Sequence, residues 1–497
     1  MVATPALDAL ETRFRQIAAL ESAAGILHWD AATMLPPGSA EARGEQLAAL
    51  AEISHEKLTD PQLAEWFADA QTEQPDAPWR RANLREMQHR YAHATAMPQA
   101  LVAALTKLRL RSEHQWRNAR AASDYAGFLP IFREIISLTR ELAAAKSAAL
   151  SLSPYDALLD SYDPGLRNAT IAPLFADLKS WLPEFVGTAI AHQQRQPILP
   201  LTATVPIAQQ EALGRQMMQA LGFDSRQGRI DVSAHPFCGG APGDVRITTR
   251  YREDRFTDAL YGVLHETGHA LYEQGLPAEW RGLPIGEARG MSTHESQSLF
   301  IEMQLCRSPA FLAFLLPKLH AAFGLDGAAW TRENATRALT QVERGFIRVN
   351  ADEVTYPLHV ILRWELEQAL LSGDLDAGDL PAAWNEKMQA YLGVTPPNMA
   401  EGCLQDIHWP EGMFGYFPTY TLGAMLAAQL MAAARTALPA LDRQVEGGDF
   451  APLVGWLRQQ VHRHGSYYPT PELVVAATGQ PLNPAIYRAH LEARYLG

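Results

Sequence analysis

The chain has 497 residues, 47% of them hydrophobic, with a formal net charge of −13. That length and apolar content support a large buried core, and the acidic balance argues against nucleic acid and anionic membrane surfaces as partners. Three cysteines, Cys238, Cys306 and Cys403, lie outside any CxxC spacing, so no disulfide framework is expected and a reducing, cytoplasmic setting fits best.

The opening residues Met1 to Asp8 carry neither a basic nor an apolar leader, so no signal peptide is expected. Residues 6–24 place Leu10, Phe14, Ile17, Ala18 and Leu20 at spacings of three and four, which predicts a helix. Residues 40–58, 80–122, 125–150 and 170–193 read the same way and are rich in good helix formers. Pro36-Pro37-Gly38 and Asp163-Pro164-Gly165 interrupt this pattern. His89 and His93 lie four apart in a helical run but no Glu follows His89, and they read as surface or packing histidines. A Pro-containing connection at 195–206 divides a helical half, about 1–200, from a second half, about 201–497, within one helical domain.

Strand signals cluster just beyond it. Arg229 to Val232 and Asp244 to Arg250 alternate and are β-branched, with Gly239 to Gly243 between them. They predict a small sheet, either a plain hairpin or an edge on which an extended peptide pairs. A helix follows that contains His265-Glu266-Thr267-Gly268-His269. Two histidines four apart on a helix point the same way and can reach one metal ion, while the adjacent Glu can hold a water and take its proton. A third ligand is then required. Glu295, in Ser292-Thr293-His294-Glu295, is suitably spaced, but so are Glu287 and Glu302, and Ser292 with Glu295 also reads as a capping box.

Further on, Arg348, Asp352, Thr355 and His359 share one face of a predicted helix that Pro357 would kink. The stripe is either an exposed Arg348–Asp352 pair or a cleft lining in which Arg348 grips a carboxylate. Gly402 to Trp409 and Gly412 to Tyr420 are dense in Gly, His, Trp and Tyr, and His408, Tyr416 and Tyr420 are the right kinds of donors for an oxyanion. Tyr420 to Ala434 is apolar, too short to span a bilayer, and reads as a core helix.

With these residues in hand, the chain resembles the Taq-type metallocarboxypeptidase family. The likeness rests on His235-Pro236-Phe237, Asp-x-Arg-x-Thr at Asp244 to Thr248, and His265 to His269. It continues through His-Glu-Ser-Gln at His294 to Gln297, Ile-Arg-x-x-Ala-Asp at Ile347 to Asp352, and Gly-x-x-Gln-Asp-x-His-Trp at Gly402 to Trp409. Leu27 to Asp30 with Met34 to Gly38, and the tail at His462 to Gly465 and Ala477 to Gly479, extend it over nearly the whole chain, with Met34-Leu35-Pro36 as a small departure.

The resemblance implies a mainly helical, neurolysin-like fold with a long groove and a small β-sheet near the active site, in a homodimer. It implies His265, His269 and Glu295 as ligands of Zn2+, or of Co2+ or another divalent ion, and Glu266 as catalytic base. Arg348 would hold the substrate's terminal carboxylate, and Asp244, Arg246, Gln405 and Trp409 would close the groove's end. The expected activity is removal of single residues from peptides with a free C-terminus; an endopeptidase or dipeptidase on the same site, or a non-enzymatic helical scaffold, are the alternatives.

Overall fold

The N-terminal third is built from long helices because few β-branched residues or internal breakers interrupt its apolar periodicity. A computed structural model describes residues 4–73 and 75–497 and places helices at Pro5–Thr33, Ala40–Leu58, Tyr125–Leu150 and Asn168–Gln193. The run expected at 80–122 is two helices, Pro78–Thr95 and Gln99–Ala122. Pro98 marks the break: it lacks an N–H for a continuing helix and stands extended, at φ −57° and ψ 137°, as the N-cap of the second helix. The 195–206 connection is pinned: Leu199 exchanges two 2.8 Å hydrogen bonds with the Asn334 side chain.

Three short strands form the sheet: β1 (Gly228–Val232), β2 (Cys238–Ala241) and β3 (Asp244–Thr249). β3 lies in the middle, parallel to β1 and antiparallel to β2. The expected glycine-rich connection is therefore itself half strand, and the hairpin is β2–β3, turning at Gly243 with φ +88°. Ile230, Val245 and Ile247 pack on Val263 and Ala270, which seats the sheet against the helix Phe256–Gly275.

The largest apolar cluster joins Leu101–Ala189 to Val342–Tyr495, so residues on both sides of the 195–206 connection share it. A second cluster surrounds the 256–275 helix. The helix Pro418–Ala437, which contains the apolar stretch from Tyr420, bridges the two: Leu422 and Met425 enter the first, Leu426 and Leu430 the second. Among the described residues no single helix is long and apolar enough to cross a membrane.

Candidate functional site

Three helices meet where the chemistry-bearing residues converge, and two glycines let them come close. A Cβ on Gly268 of the 256–275 helix would lie 2.5 Å from the Gln297 carbonyl oxygen, so only Gly permits this crossing with the helix Met291–Leu299. A Cβ on Gly423 would lie 2.9 Å from the Glu295 Cβ, so the 418–437 helix presses directly on that side chain. Gly290, with φ +42°, starts the 291–299 helix, so Ser292 is not its cap. Ser292 instead bonds Asp163 through its hydroxyl, Thr470 occupies the other Asp163 oxygen at 2.7 Å, and the capping-box reading is replaced by this tie between distant loops.

His265, His269 and Glu295 each offer a ligand atom, all within 4.8 Å of one another. His269 Nε2 stands 3.7 Å from Glu295 Oε2, close to the roughly 3.4 Å expected between ligands held about 2.1 Å from one tetrahedral ion. Each imidazole is held from behind: His265 Nδ1 lies 2.9 Å from Glu302 Oε2, and His269 Nδ1 lies 3.1 Å from the His294 carbonyl. With the proton on Nδ1, both Nε2 lone pairs face the centre, which is how a second layer of groups orients metal-binding histidines. The donor set and its backing fit a divalent cation.

Of the three carboxylates the spacing offered, only Glu295 joins both histidines. Glu287 pairs instead with Arg90 at 3.1 Å. Glu302 sits on a π-helical turn, Phe300–Leu305, whose extra residue aims the carboxylate at the back of His265, while Arg307 holds its other oxygen at 2.8 Å.

The electrostatics of this centre favour added positive charge. Burial pulls the His265 imidazolium down, yet Glu302, Glu295 and Glu266 outweigh it and raise the group to about 10. Burial, with Glu295 and Glu302 repelling, lifts Glu266 to about 7, within the range suited to a general base. His269 stays neutral because it is buried and faces His294 and His265.

A second group of opposite excess lies beyond Tyr420. Arg348 sits on a 3-10 turn, Arg348–Asn350, and not on the predicted helix. The helix starts at Tyr356, with Pro357 in its first turn, where proline's missing N–H is no loss, so there is no kink. Arg348 does not pair with Asp352. Its Nε donates to Asp406 at 3.0 Å, its NH1 to the Tyr356 hydroxyl at 2.8 Å, and its guanidinium lies 4.7 Å from the centre of the Tyr420 ring. Asp352 instead accepts the N–H groups of Val354 and Thr355.

Arg363, fully buried, donates to the other Asp406 oxygen at 2.7 Å. Two guanidiniums thus share one carboxylate. Burial and the neighbouring Arg348 pull Arg363 down to about 10 against the attraction of Asp406, so it remains charged. His408 is held down to about 4 by burial and by the two arginines, so it adds no charge.

The other predicted residues fall around this frame. His408 Nε2 lies 3.1 Å from the Tyr420 hydroxyl, and the Tyr416 and Tyr420 rings pack edge to face at 5.3 Å. Gln405 accepts the Arg348 backbone N–H at 2.8 Å and is otherwise spent on the carbonyls of Phe346, Glu401 and Gly402. Trp409 lies under the loop, buried, with its Nε1 donating to Glu367 at 3.1 Å. Asp244 and Arg246 pair with each other on β3, and the Arg246 guanidinium covers Trp29 at 4.5 Å.

Arg363 escaped the sequence reading, although continuing the Thr355–His359 stripe by one helical turn lands on it. Asp406 lies inside the Gly-x-x-Gln-Asp-x-His-Trp motif, where the sequence alone assigns it no role. Glu302 was read only as a rival ligand.

His89 and His93 also gather around a carboxylate, at 2.6 and 2.9 Å from Asp160 Oδ2. Arg167 and the Gly165 N–H already occupy its other oxygen, and Lys146 stands close enough to disfavour charge on His93. A carboxylate so satisfied, beside two cations, suits a structural hub and not a second metal.

The model of the family described as Carboxypeptidase Taq (M32) metallopeptidase matches residues 9–495. Thermostable carboxypeptidase 1 of Thermus thermophilus is 40% identical, over 97% of this chain and 96% of its own length. Carboxypeptidase 1 of Bacillus subtilis is 34% identical over the same shares. Among solved structures, Trypanosoma cruzi metallocarboxypeptidase 1 superposes with a TM-score of 0.98 at 41% identity, covering all of both chains. The M32 carboxypeptidase of Deinococcus radiodurans R1 gives 0.93 at 34% identity, covering 99% of each. With a mainly helical fold, a His–His–Glu cluster and this likeness over nearly its whole length, the chain belongs to the Taq (M32) carboxypeptidase family and is a metallocarboxypeptidase.

Proposed function

We propose that His265, His269 and Glu295 hold the divalent ion, that Glu266 is the general base, and that Arg348 anchors the terminal carboxylate of a peptide so that single residues are released. The observation that carries this reading is the pairing of two buried charge clusters across Tyr420, one rich in carboxylates and one with a guanidinium to spare. When bound, the ion supplies a Lewis acid that polarises the scissile carbonyl and acidifies a water. Two imidazoles and a carboxylate suit Zn2+, with Co2+ or another divalent ion as a substitute.

Glu266, beside His265 and lifted toward neutrality, takes the proton of the attacking water and delivers it to the leaving amine. The Tyr420 hydroxyl, with Tyr416 next to it, donates to the oxyanion; His408 stands behind Tyr420 and orients it. Arg348 presents the N–H groups that Asp406 and Tyr356 leave free to the C-terminal carboxylate, and this contact selects the bond to be cut. Gln405 accepts the Arg348 backbone N–H, Trp409 packs on Phe417, whose ring lies under the Arg348 guanidinium, and Arg246, paired with Asp244, packs on Trp29. The resemblance further supports a soluble, cytoplasmic homodimer acting on peptides.

Metal analysis after dialysis tests the assignment. His269→Ala and Glu295→Gln are expected to lose most of the ion, whereas Glu266→Gln keeps it and loses turnover. Full metal retention in Glu295→Gln removes Glu295 from the ligand set, and normal turnover in Glu266→Gln removes it as the base.

A further inference from the structure

Glu353 is a buried carboxylate five positions past Arg348, outside the groove, and it carries an unusual number of donors. Its Oε1 accepts from Gln304 at 2.7 Å and faces His490 Nε2 at 2.9 Å; its Oε2 accepts from Arg494 at 2.9 Å and from the Tyr495 hydroxyl at 3.0 Å. The Tyr487 hydroxyl adds a bond to the Glu353 carbonyl at 2.9 Å. Tyr487, His490, Arg494 and Tyr495 all lie on the C-terminal helix Pro484–Tyr495 and recur at helical spacing, so one face of that helix is devoted to one residue.

The same helix reaches the metal side. Arg494 NH1 also donates to the Met303 carbonyl at 2.7 Å, and NH2 lies within reach of the Gln304 carbonyl at 3.3 Å. Those carbonyls end the π-helical turn that aims Glu302 at His265. They lack helical donors of their own, and a guanidinium fork satisfies them while it pairs with Glu353.

We propose that the C-terminal helix is a positioning clamp: Glu353 and Arg494 hold the Arg348 turn and the Glu302 turn at a fixed separation. They thereby set the distance between the anchored carboxylate and the scissile bond. This rests on the roles given above to Arg348 and to the His265–Glu302 pair. The clamp residues touch neither substrate nor metal and act only through those two turns.

The test uses the full-length, zinc-loaded enzyme. Two readouts are independent of how much protein is folded: the ratio of kcat/KM for a free-acid peptide over its C-terminal amide, and the Kd for Zn2+ by chelator competition. Tyr495→Phe removes one bond to Glu353 and is expected to lower the acid-over-amide ratio about threefold or more while leaving the Zn2+ Kd within about twofold. Arg494→Lys keeps a cation beside Glu353 but cannot also cap both carbonyls, and is expected to weaken Zn2+ about tenfold. Glu353→Gln should move both readouts. If Glu353→Gln does not fold, Arg494→Lys and Tyr495→Phe decide the matter. Lower thermal stability with an unchanged ratio and unchanged Zn2+ Kd would reduce the helix to a structural clasp and overturn the proposal. Should the wild type cut amides as fast as free acids, it is the Arg348 anchor that has failed, and the Zn2+ Kd of Arg494→Lys alone then decides for or against the clamp.

Discussion

The two charge clusters on either side of Tyr420 are opposites built by the same means. Around His265 and His269, Glu266, Glu295 and Glu302 outnumber the cations and lift the His265 imidazolium to about 10. Around Asp406, Arg348 and Arg363 outnumber the anions. The arginine cluster is buried and the carboxylate cluster mostly so, which leaves both imbalances weakly screened and each favouring a group of opposite sign. On the assignment proposed above, a divalent ion would complete the first and a peptide's terminal carboxylate the second. The difference teaches that the proposed selectivity rests on opposite charge excesses placed on either side of Tyr420.

Removing the ion breaks the comparison most severely. Chelation should abolish hydrolysis, and a divalent ion should restore it. A thermal melt should shift as well, since an ion at a thousandfold its Kd adds about 4 kcal/mol to stability. Next in size, Glu266→Gln should lower kcat by about 10²–10⁴ in a steady-state assay, with metal content unchanged. Tyr420→Phe should follow, with a loss of about 10²–10³ in kcat if its hydroxyl serves the oxyanion. Arg348→Ala should reduce kcat/KM on free-acid peptides about 10²-fold and spare amides, which a paired acid and amide series would reveal. The smallest effect sharpens the picture: Arg363→Met removes the spare charge without touching Arg348, and should raise KM for free acids by up to about tenfold with kcat little changed.

What was legible in the sequence was what depends on local periodicity. His265 and His269 declared themselves because helical spacing alone puts them on one face, and the mainly helical fold followed from long apolar-periodic runs that carry few breakers. Choosing among Glu287, Glu295 and Glu302 depends on how separate helices cross, and the deciding contacts, at Gly268 and Gly423, are between elements far apart in the chain. The predicted helix through Arg348 failed because Asp352 spends its side chain on the backbone N–H groups of Val354 and Thr355, which delays the helix to Tyr356. The π-turn that re-aims Glu302 adds one residue to a helical register, a change that no periodic pattern announces. The parallel pairing of β1 with β3 likewise depends on tertiary packing against Val263 and Ala270.

The polarity of the groove can be read directly from one digest. A decapeptide prepared as free acid and as C-terminal amide is incubated with metal-loaded enzyme and followed by mass spectrometry. The account predicts a ladder that shortens one residue at a time from the free C-terminus, and an amide that stays essentially intact. Internal fragments, or equal cutting of both forms, would contradict it.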